Sequence, residues 1–241
     1  MRLNTYINEG RSRPIDSVEK TKLLGKCSDA IYNKYPIFRG FDGRDEAYVV
    51  NPSDFTRKSA NTENYYTVLI DNLPDWKDYP KRSKSIICTT DSYKARRYGN
   101  VYKVYPVDGS KIGVCPSDDI WPSFQPDISW LYQFNNDLDR MSVLLNQKIH
   151  SNSNVIFSDL IKFFDDIQKK KGIILDDLEC EFEEPIFQRY IKSRNTFKEL
   201  VEDALNPTKH GFDLYTPKTF DVSGDHEVWT DGMCVLVRQD R

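Results

Sequence analysis

The stretch Asp225-His226-Glu227-Val228-Trp229 places two acidic side chains two residues apart, in a run that ends in apolar residues. A β-strand presents the same face at every second residue, so a strand here directs Asp225 and Glu227 to one side, roughly 7 Å apart. The later run Val235-Leu236-Val237 is predicted to be its partner strand, after a turn at Asp231-Gly232. The sequence therefore predicts two carboxylates on one face of a strand pair.

Two earlier segments also place polar residues in apolar strand patterns. Pro36 forces the chain to extend, so Ile37-Phe38-Arg39-Gly40-Phe41 is predicted to be a strand with Arg39 inside it. In Ile86-Ile87-Cys88-Thr89-Thr90 the β-branched content predicts a buried strand that ends in hydroxyl side chains. An arginine, a hydroxyl pair and an acidic pair therefore follow one another along the chain.

Helical periodicity and turn residues predict the elements around these segments. Three helices are predicted in the first half: one over 16–33 capped by Asp16 or Ser17, one over 61–73, and a short one capped by Asp91 or Ser92 and closed by Gly99. Two strands follow, over 101–105 and 111–115, and a turn at Asp108-Gly109 joins them. After Pro116 the pattern is helical over 127–149, 153–171, 184–193 and 196–205, where Thr196 and Glu199 form a capping-box pattern. The fold class is therefore predicted as α+β, a single domain over 1–241 with a helical insertion at about 127–205.

Composition restricts the class of protein. Lys+Arg of 34 against Asp+Glu of 37 gives a formal charge of −3, so the chain as a whole has no polyanion-binding signature, although the stretch 81–111 is locally basic. The five cysteines are widely spaced without a CxxC pair, which favours buried, reduced thiols. The opening residues lack an apolar signal core, and no run approaches the roughly 20 apolar residues that span a bilayer. We expect a cytoplasmic protein that does not contact a membrane.

Metal and hydrolase sites are not predicted. The three histidines and five cysteines are dispersed without ligand spacing, so we expect no metal. The sequence also lacks a nucleophile elbow or a recognisable Cys/His pairing, which argues against a serine or cysteine hydrolase.

Taken in order, these segments resemble the mono-ADP-ribosyltransferases of the arginine–serine–glutamate class. Phe38-Arg39-Gly40 resembles the Arg-Gly strand, Cys88-Thr89-Thr90 the Ser-Thr-Ser strand, and Asp225-His226-Glu227 the Glu-x-Glu strand. The resemblance covers roughly 30–115 and 218–238 and leaves the helical block unmatched. Two positions depart from the family pattern, because Cys88 stands at the first serine and Asp225 at the first glutamate.

The resemblance implies a split mixed or antiparallel sheet with flanking helices, and a substrate, NAD. Glu227 is implied to stabilise the cation that forms at the ribose when nicotinamide leaves, since a carboxylate stabilises developing positive charge in a water-poor pocket. Thr89 or Thr90 would orient Glu227 through a hydroxyl, and Asp225 would position the acceptor.

The cofactor-binding residues are implied in the same way. Arg39 would pair with pyrophosphate or ribose oxygens, because its forked guanidinium suits anionic oxygens. The backbone of Gly40 would reach the nicotinamide amide, since no side chain obstructs the approach. An aromatic ring normally stacks on nicotinamide, and Tyr93, Tyr98 and Tyr102 are the three candidates.

The expected activity is transfer of ADP-ribose from NAD to a macromolecular acceptor, protein or nucleic acid, with release of nicotinamide. The family also implies a phage or bacterial effector. Three alternatives remain: an NAD glycohydrolase, an inactive binding or inhibitor protein on the same scaffold, and a nucleic-acid-binding protein that uses the basic stretch 81–111.

Overall fold

The three predicted segments all contribute strands to one antiparallel sheet. The computed structural model describes residues 12–57, 65–145, 156–170 and 184–239. The chain divides into two units, which we call the sheet unit (Met1–Arg57, Asp78–Asp119 and Gly211–Arg241) and the helical unit (Lys58–Lys77 and Ile120–His210). The helical unit thus includes residues 58–77 as well as the block predicted from the sequence.

Nine strands form the sheet within the described residues. They are β1 (Arg13–Pro14), β2 (Ile37–Phe41), β3 (Ala47–Val50), β4 (Ile86–Thr89), β5 (Asn100–Pro106), β6 (Ile112–Val114), β7 (Asp213–Tyr215), β8 (Glu227–Thr230) and β9 (Cys234–Arg238). Their order across the sheet is β1-β3-β9-β5-β2-β4-β8-β6-β7, and every neighbouring pair is antiparallel. The predicted α+β class with an antiparallel sheet is confirmed.

Eight α-helices lie in the described parts of the chain. They are α1 (Ser17–Leu24), α2 (Ser28–Tyr32), α3 (Tyr65–Asn72), α4 (Ser92–Ala95), α5 (Leu131–Leu144), α6 (Phe157–Lys169), α7 (Pro185–Lys192) and α8 (Phe197–Ala204). Short 3₁₀ turns cover Pro52–Asp54, Pro74–Trp76, Arg82–Lys84 and Arg96–Tyr98. None of the described helices has the length and apolar character that crossing a membrane requires.

The sheet divides between β2 and β4. Strand β2 pairs with β5 at five positions, from Ile37 to Phe41, but with β4 at one, where Phe38 lies opposite Thr89. Such a single bridge leaves most of the backbone groups between these strands without a ladder partner from the neighbouring strand. A side chain can therefore bind these backbone groups at the division.

The two faces of the sheet carry different packing. One face buries an apolar core that includes Ile37, Cys88, Val104, Val228 and Leu236. On the opposite face, Phe38 and Val101 pack with Ala95 of helix α4. Side chains alternate between faces along each strand, so the register that pairs Phe38 with Thr89 and Thr89 with Glu227 places all three on the α4 face.

Two predicted strand pairings are wrong. The turn at Asp108-Gly109 does not pair β5 with β6, and the turn at Asp231-Gly232 does not pair β8 with β9. The β5–β6 and β8–β9 connections instead each pass from one half of the sheet to the other. The two connections run side by side, because the N–H of Val107 donates to the carbonyl of Met233 at 3.0 Å. Long-range pairing thus overrides the hairpin signal that a local turn provides.

The elements around β4 follow the predictions closely. Asp91 caps α4 by accepting a hydrogen bond from the N–H of Tyr93 at 2.7 Å, and Gly99 ends the segment with a φ of 131°. Asp16 likewise caps α1, but the predicted helix over 16–33 is two helices, because the chain turns between Leu24 and Ser28.

The helical unit is built around aromatic side chains, as the sequence predicted. Phe197 of α8 lies with its ring centroid 5.1 Å from that of Phe164 and 5.2 Å from those of Phe187 and Tyr190. The capping box of Thr196 and Glu199 is present at the start of α8. The predicted helix ends at 149, 153 and 171 lie outside the described residues.

Candidate functional site

Strand β8 presents Glu227 beside the end of β4. The register of these two antiparallel strands makes Thr89 and Glu227 Cα partners. Directly opposite residues of an antiparallel pair have Cβ atoms about 5 Å apart. The fold therefore brings together the hydroxyl strand and the glutamate that the sequence singled out.

The carboxylate of Glu227 forms an ion pair with Arg82. Nη2 of Arg82 lies 2.7 Å from Oε1 of Glu227, and the two side chains are 1% and 13% exposed. The thiol of Cys115 lies 3.8 Å from the same oxygen. Glu227 is therefore an enclosed acid whose orientation is fixed by a buried cation.

Aromatic rings support Arg82. Its guanidinium carbon lies 5.1 Å from the ring centroid of Trp229, two residues beyond Glu227 on the same face of β8. The indole N–H of Trp229 donates to the carbonyl of Pro80 at 2.8 Å, and the ring of Tyr79 stacks on it with centroids 6.2 Å apart. Gly113 makes room for this ring, since a Cβ there would lie 2.3 Å from Trp229.

Asp225 differs from its predicted setting. Strand β8 begins at Glu227, so Asp225 lies in the bend before the strand and does not share a strand face with Glu227. Its carboxylate pairs with Lys94 of α4, which also pairs with Asp118. Partial burial lowers the pKa of Lys94, but hydrogen bonds to both carboxylates raise that pKa overall, and the bond from Lys94 lowers the pKa of Asp118.

Both threonine hydroxyls bind backbone rather than the glutamate. Oγ1 of Thr89 accepts a hydrogen bond from the N–H of Asp91 at 3.1 Å. Oγ1 of Thr90 donates to the carbonyl of Gly224 at 2.7 Å and accepts from the N–H of His226 at 2.9 Å. The threonines thus fix the segments that flank Glu227, whereas Arg82 contacts its carboxylate.

Arg39 occupies the division between β2 and β4. Its Nη1 donates to the carbonyl of Ile87, and the residue is 7% exposed. Because Phe38 shares a face with Glu227, the neighbouring Arg39 points to the other face of the sheet. Burial lowers the pKa of the Arg39 guanidinium. The structure therefore places Arg39 at the division of the sheet, but not on the face that carries Glu227.

Gly40 is required by the approach of helix α4. A Cβ at this position would lie 1.8 Å from the carbonyl oxygen of Ala95 and 3.2 Å from Cβ of Tyr98. This close approach seats α4 against β2, and it accounts for the glycine without a ligand.

The three candidate tyrosines differ in how far they are exposed to solvent. Tyr102 is fully buried, and its hydroxyl donates to the carbonyl of Asp45 at 2.9 Å, so it cannot stack on a ligand. Tyr93 and Tyr98 are 68% and 50% exposed. Burial raises the pKa of Tyr98, with further contributions from the negative charges of Asp119 and Glu227.

The cysteine at the first hydroxyl position is a core residue. Cys88 is buried, and burial raises the pKa of its thiol to about 11. Cys27, Cys115 and Cys234 are also buried and free, as predicted, while Cys180 lies outside the described residues. No group of potential metal ligands occurs among the residues that the structure describes.

A surface depression lies elsewhere on the sheet unit. It encloses about 260 Å³ of open space and is lined by residues that include Asn33, Tyr35, Lys103 and Phe220. None of the residues around Glu227 lines it, so we base the site on the geometry of Glu227 and not on this depression.

Comparisons with protein-family models, with curated proteins and with solved structures give no match. Functional reasoning therefore depends on the residues of this chain. Sequence reasoning missed Arg82, because it stands in a basic stretch that reads as a solvated surface. Its position just before the apolar strand β4 was the available signal.

Proposed function

We propose that the chain cleaves the nicotinamide–ribose bond of NAD and transfers ADP-ribose to a macromolecular acceptor, with Glu227 as the residue that stabilises the developing cation. One observation carries the proposal: Glu227 is an enclosed carboxylate with a fixed orientation, opposite Thr89 and beside the division of the sheet. A carboxylate in such a setting favours positive charge forming next to it, because water screens the interaction little.

The neighbouring residues take roles that suit a dinucleotide. The half-exposed Tyr98 adjoins Gly40 on the face of the sheet that carries Glu227, and we assign its ring to stacking on the nicotinamide. The exposed side chains of Arg96 and Arg97 on the 3₁₀ turn after α4 attract the phosphates. Arg39 holds the two halves of the sheet at their division through the carbonyl of Ile87 and so positions the site.

Bond cleavage proceeds by departure of nicotinamide with the bonding electron pair, which leaves an oxocarbenium-like ribose. A nucleophile on the acceptor then attacks the ribose carbon and loses its proton. We assign contact with the acceptor to the partly buried pair of Lys94 and Asp225. Water in place of the acceptor gives the glycohydrolase reaction.

A binding protein without turnover is the second candidate. The observation in its favour is that Arg82 already neutralises Glu227, while both threonine hydroxyls are engaged by backbone. Such a protein protects NAD but releases no nicotinamide.

Incubation with adenylate-labelled NAD and cell extract tests the proposal. We expect nicotinamide release and label transfer in the wild type, reduced roughly 100-fold or more in Glu227→Gln, as for loss of a group that stabilises transition-state charge. The glutamine keeps an oxygen for Arg82 but removes its counter-charge, so thermal unfolding of the variant is measured alongside, and release is expressed per folded molecule. Glu46→Gln is the matched control, because Glu46 is 73% exposed in the same unit.

Three results would count against the proposal. Undiminished transfer by Glu227→Gln refutes the assigned role, NAD binding without release favours the binding protein, and release without transfer favours the glycohydrolase. Mass spectrometry of the labelled extract then locates any ADP-ribose adduct on protein or nucleic acid.

A further inference from the structure

Arg82 is the most deeply buried arginine that contacts the candidate site. It begins the 3₁₀ turn before β4, is 1% exposed, and reaches both Glu227 and the ring of Trp229. Glu227 and Trp229 alternate onto the same face of β8, so one guanidinium spans two successive positions of that face.

Stability alone does not explain this ion pair. Removing an arginine and a glutamate from water costs several kcal/mol per ion, and apolar residues of similar volume in place of a buried pair are often as stable or more stable. A cation retained at 1% exposure therefore calls for a function that an apolar side chain cannot supply.

The surroundings of Arg82 hold its guanidinium in one place. Trp229 is fixed by its hydrogen bond to Pro80 and by the stacked ring of Tyr79, whose hydroxyl donates to the carbonyl of Phe212 at 2.8 Å. The hydroxyl of Ser85 donates to the carbonyl of Lys81 at 2.7 Å and ties down the turn that carries Arg82. A fixed, permanently charged donor dictates the orientation of the carboxylate that it binds.

We propose that Arg82 is a positioning residue for Glu227, whose carboxylate it holds in the orientation that the developing ribose cation requires. The inference rests on the proposed function, because it names the residue that prepares the same carboxylate. It assigns no direct contact between Arg82 and NAD.

The test compares Arg82→Met, Arg82→Lys and a control, Arg44→Met, whose side chain is exposed on the same unit. Nicotinamide release is measured as kcat and KM, together with thermal unfolding. We expect Arg82→Met to lower kcat at least tenfold with KM within about twofold, because the carboxylate loses the donor that orients it. Arg82→Lys restores part of kcat but not all of it, since a lysine cannot reproduce the fork.

Each outcome decides between the two proposals. A wild type that is folded but releases no nicotinamide overturns the proposed function and this inference with it. An active wild type whose Arg82→Met variant keeps the same kcat overturns the inference alone, as does a loss of activity that appears in KM instead of kcat. If Arg82→Met does not fold, Arg82→Lys decides, because an unchanged kcat would contradict the orienting role.

Discussion

Two buried carboxylates, Glu227 in the sheet unit and Asp127 in the helical unit, are held by cations in different ways. Asp127 pairs with Arg189, with Lys209 at 2.7 Å and with His210 at 3.4 Å. Arg189 and Lys209 are each 39% exposed, whereas Arg82, which pairs with Glu227, is 1% exposed.

The difference distinguishes a network of ion pairs that stabilises the fold from an ion pair that orients one carboxylate for a function. Half-exposed cations keep much of their hydration, so the Asp127 network ties three segments together at a low desolvation cost. The pair at Glu227 joins two segments at a high cost, and it lies beside the division of the sheet. We expect changes at Asp127 to alter stability alone, and changes around Glu227 to alter activity as well as stability.

Within the helical unit, the larger of the two stability effects that we predict is that of Asp127→Asn. Loss of the charge removes a carboxylate that Arg189 and Lys209 share, although both also contact Asp203. We expect the free energy of unfolding to fall by about 2 kcal/mol, less than for a fully buried pair because both cations reach water. Nicotinamide release per folded molecule should not change. Denaturant titration and activity measured on one preparation check both expectations.

Asp203→Asn is the matched control for this prediction. Asp203 contacts the same two cations, Lys209 at 2.6 Å and Arg189 at 3.3 Å, but it is 51% exposed. We expect a loss of under about 1 kcal/mol, as for surface pairs. Equal losses in the two variants would show that burial is not what distinguishes Asp127.

An intermediate effect is predicted for Tyr98→Leu. Removing a ring that stacks on nicotinamide should cost about 1 kcal/mol of binding and so raise KM for NAD roughly fivefold. Tyr93→Leu is the control, because Tyr93 is 68% exposed on the same helical segment and is predicted to have no effect. If KM rises equally in both variants, Tyr98 is not the residue that stacks on the nicotinamide.

The sequence was sufficient for elements that depend on local chemistry. Asp91 and Thr196 cap helices as predicted, and the β-branched content of 86–90 correctly marks β4 as a strand. The strand partners were not predictable, because the turns at 108–109 and 231–232 resemble hairpin turns yet connect the two halves of the sheet. The position of Thr89 opposite Glu227 depends on this long-range register.

The contact of Arg82 with Glu227 could not be predicted from the sequence, for a related reason. A basic residue in a charged stretch is usually solvated, and only the tertiary contact with Trp229 and Glu227 removes this one from water. Asp225 shows the opposite case, since its spacing from Glu227 predicted a shared strand face while β8 begins two residues later. Local spacing predicts a side chain's direction only when the strand extends that far.

The smallest effect concerns the pH dependence of the Asp127 network. Burial lowers the pKa of His210, although the charge of Asp127 opposes this shift. The folded state then binds fewer protons at His210 than the unfolded state does. The contribution of this histidine to the free energy of unfolding is therefore fully present above the unfolded pKa of about 6.5 and is lost as the pH falls below it. His210→Gln should reduce the decline of unfolding free energy between neutral pH and about pH 5. A decline as steep as in the wild type would exclude His210 as its cause.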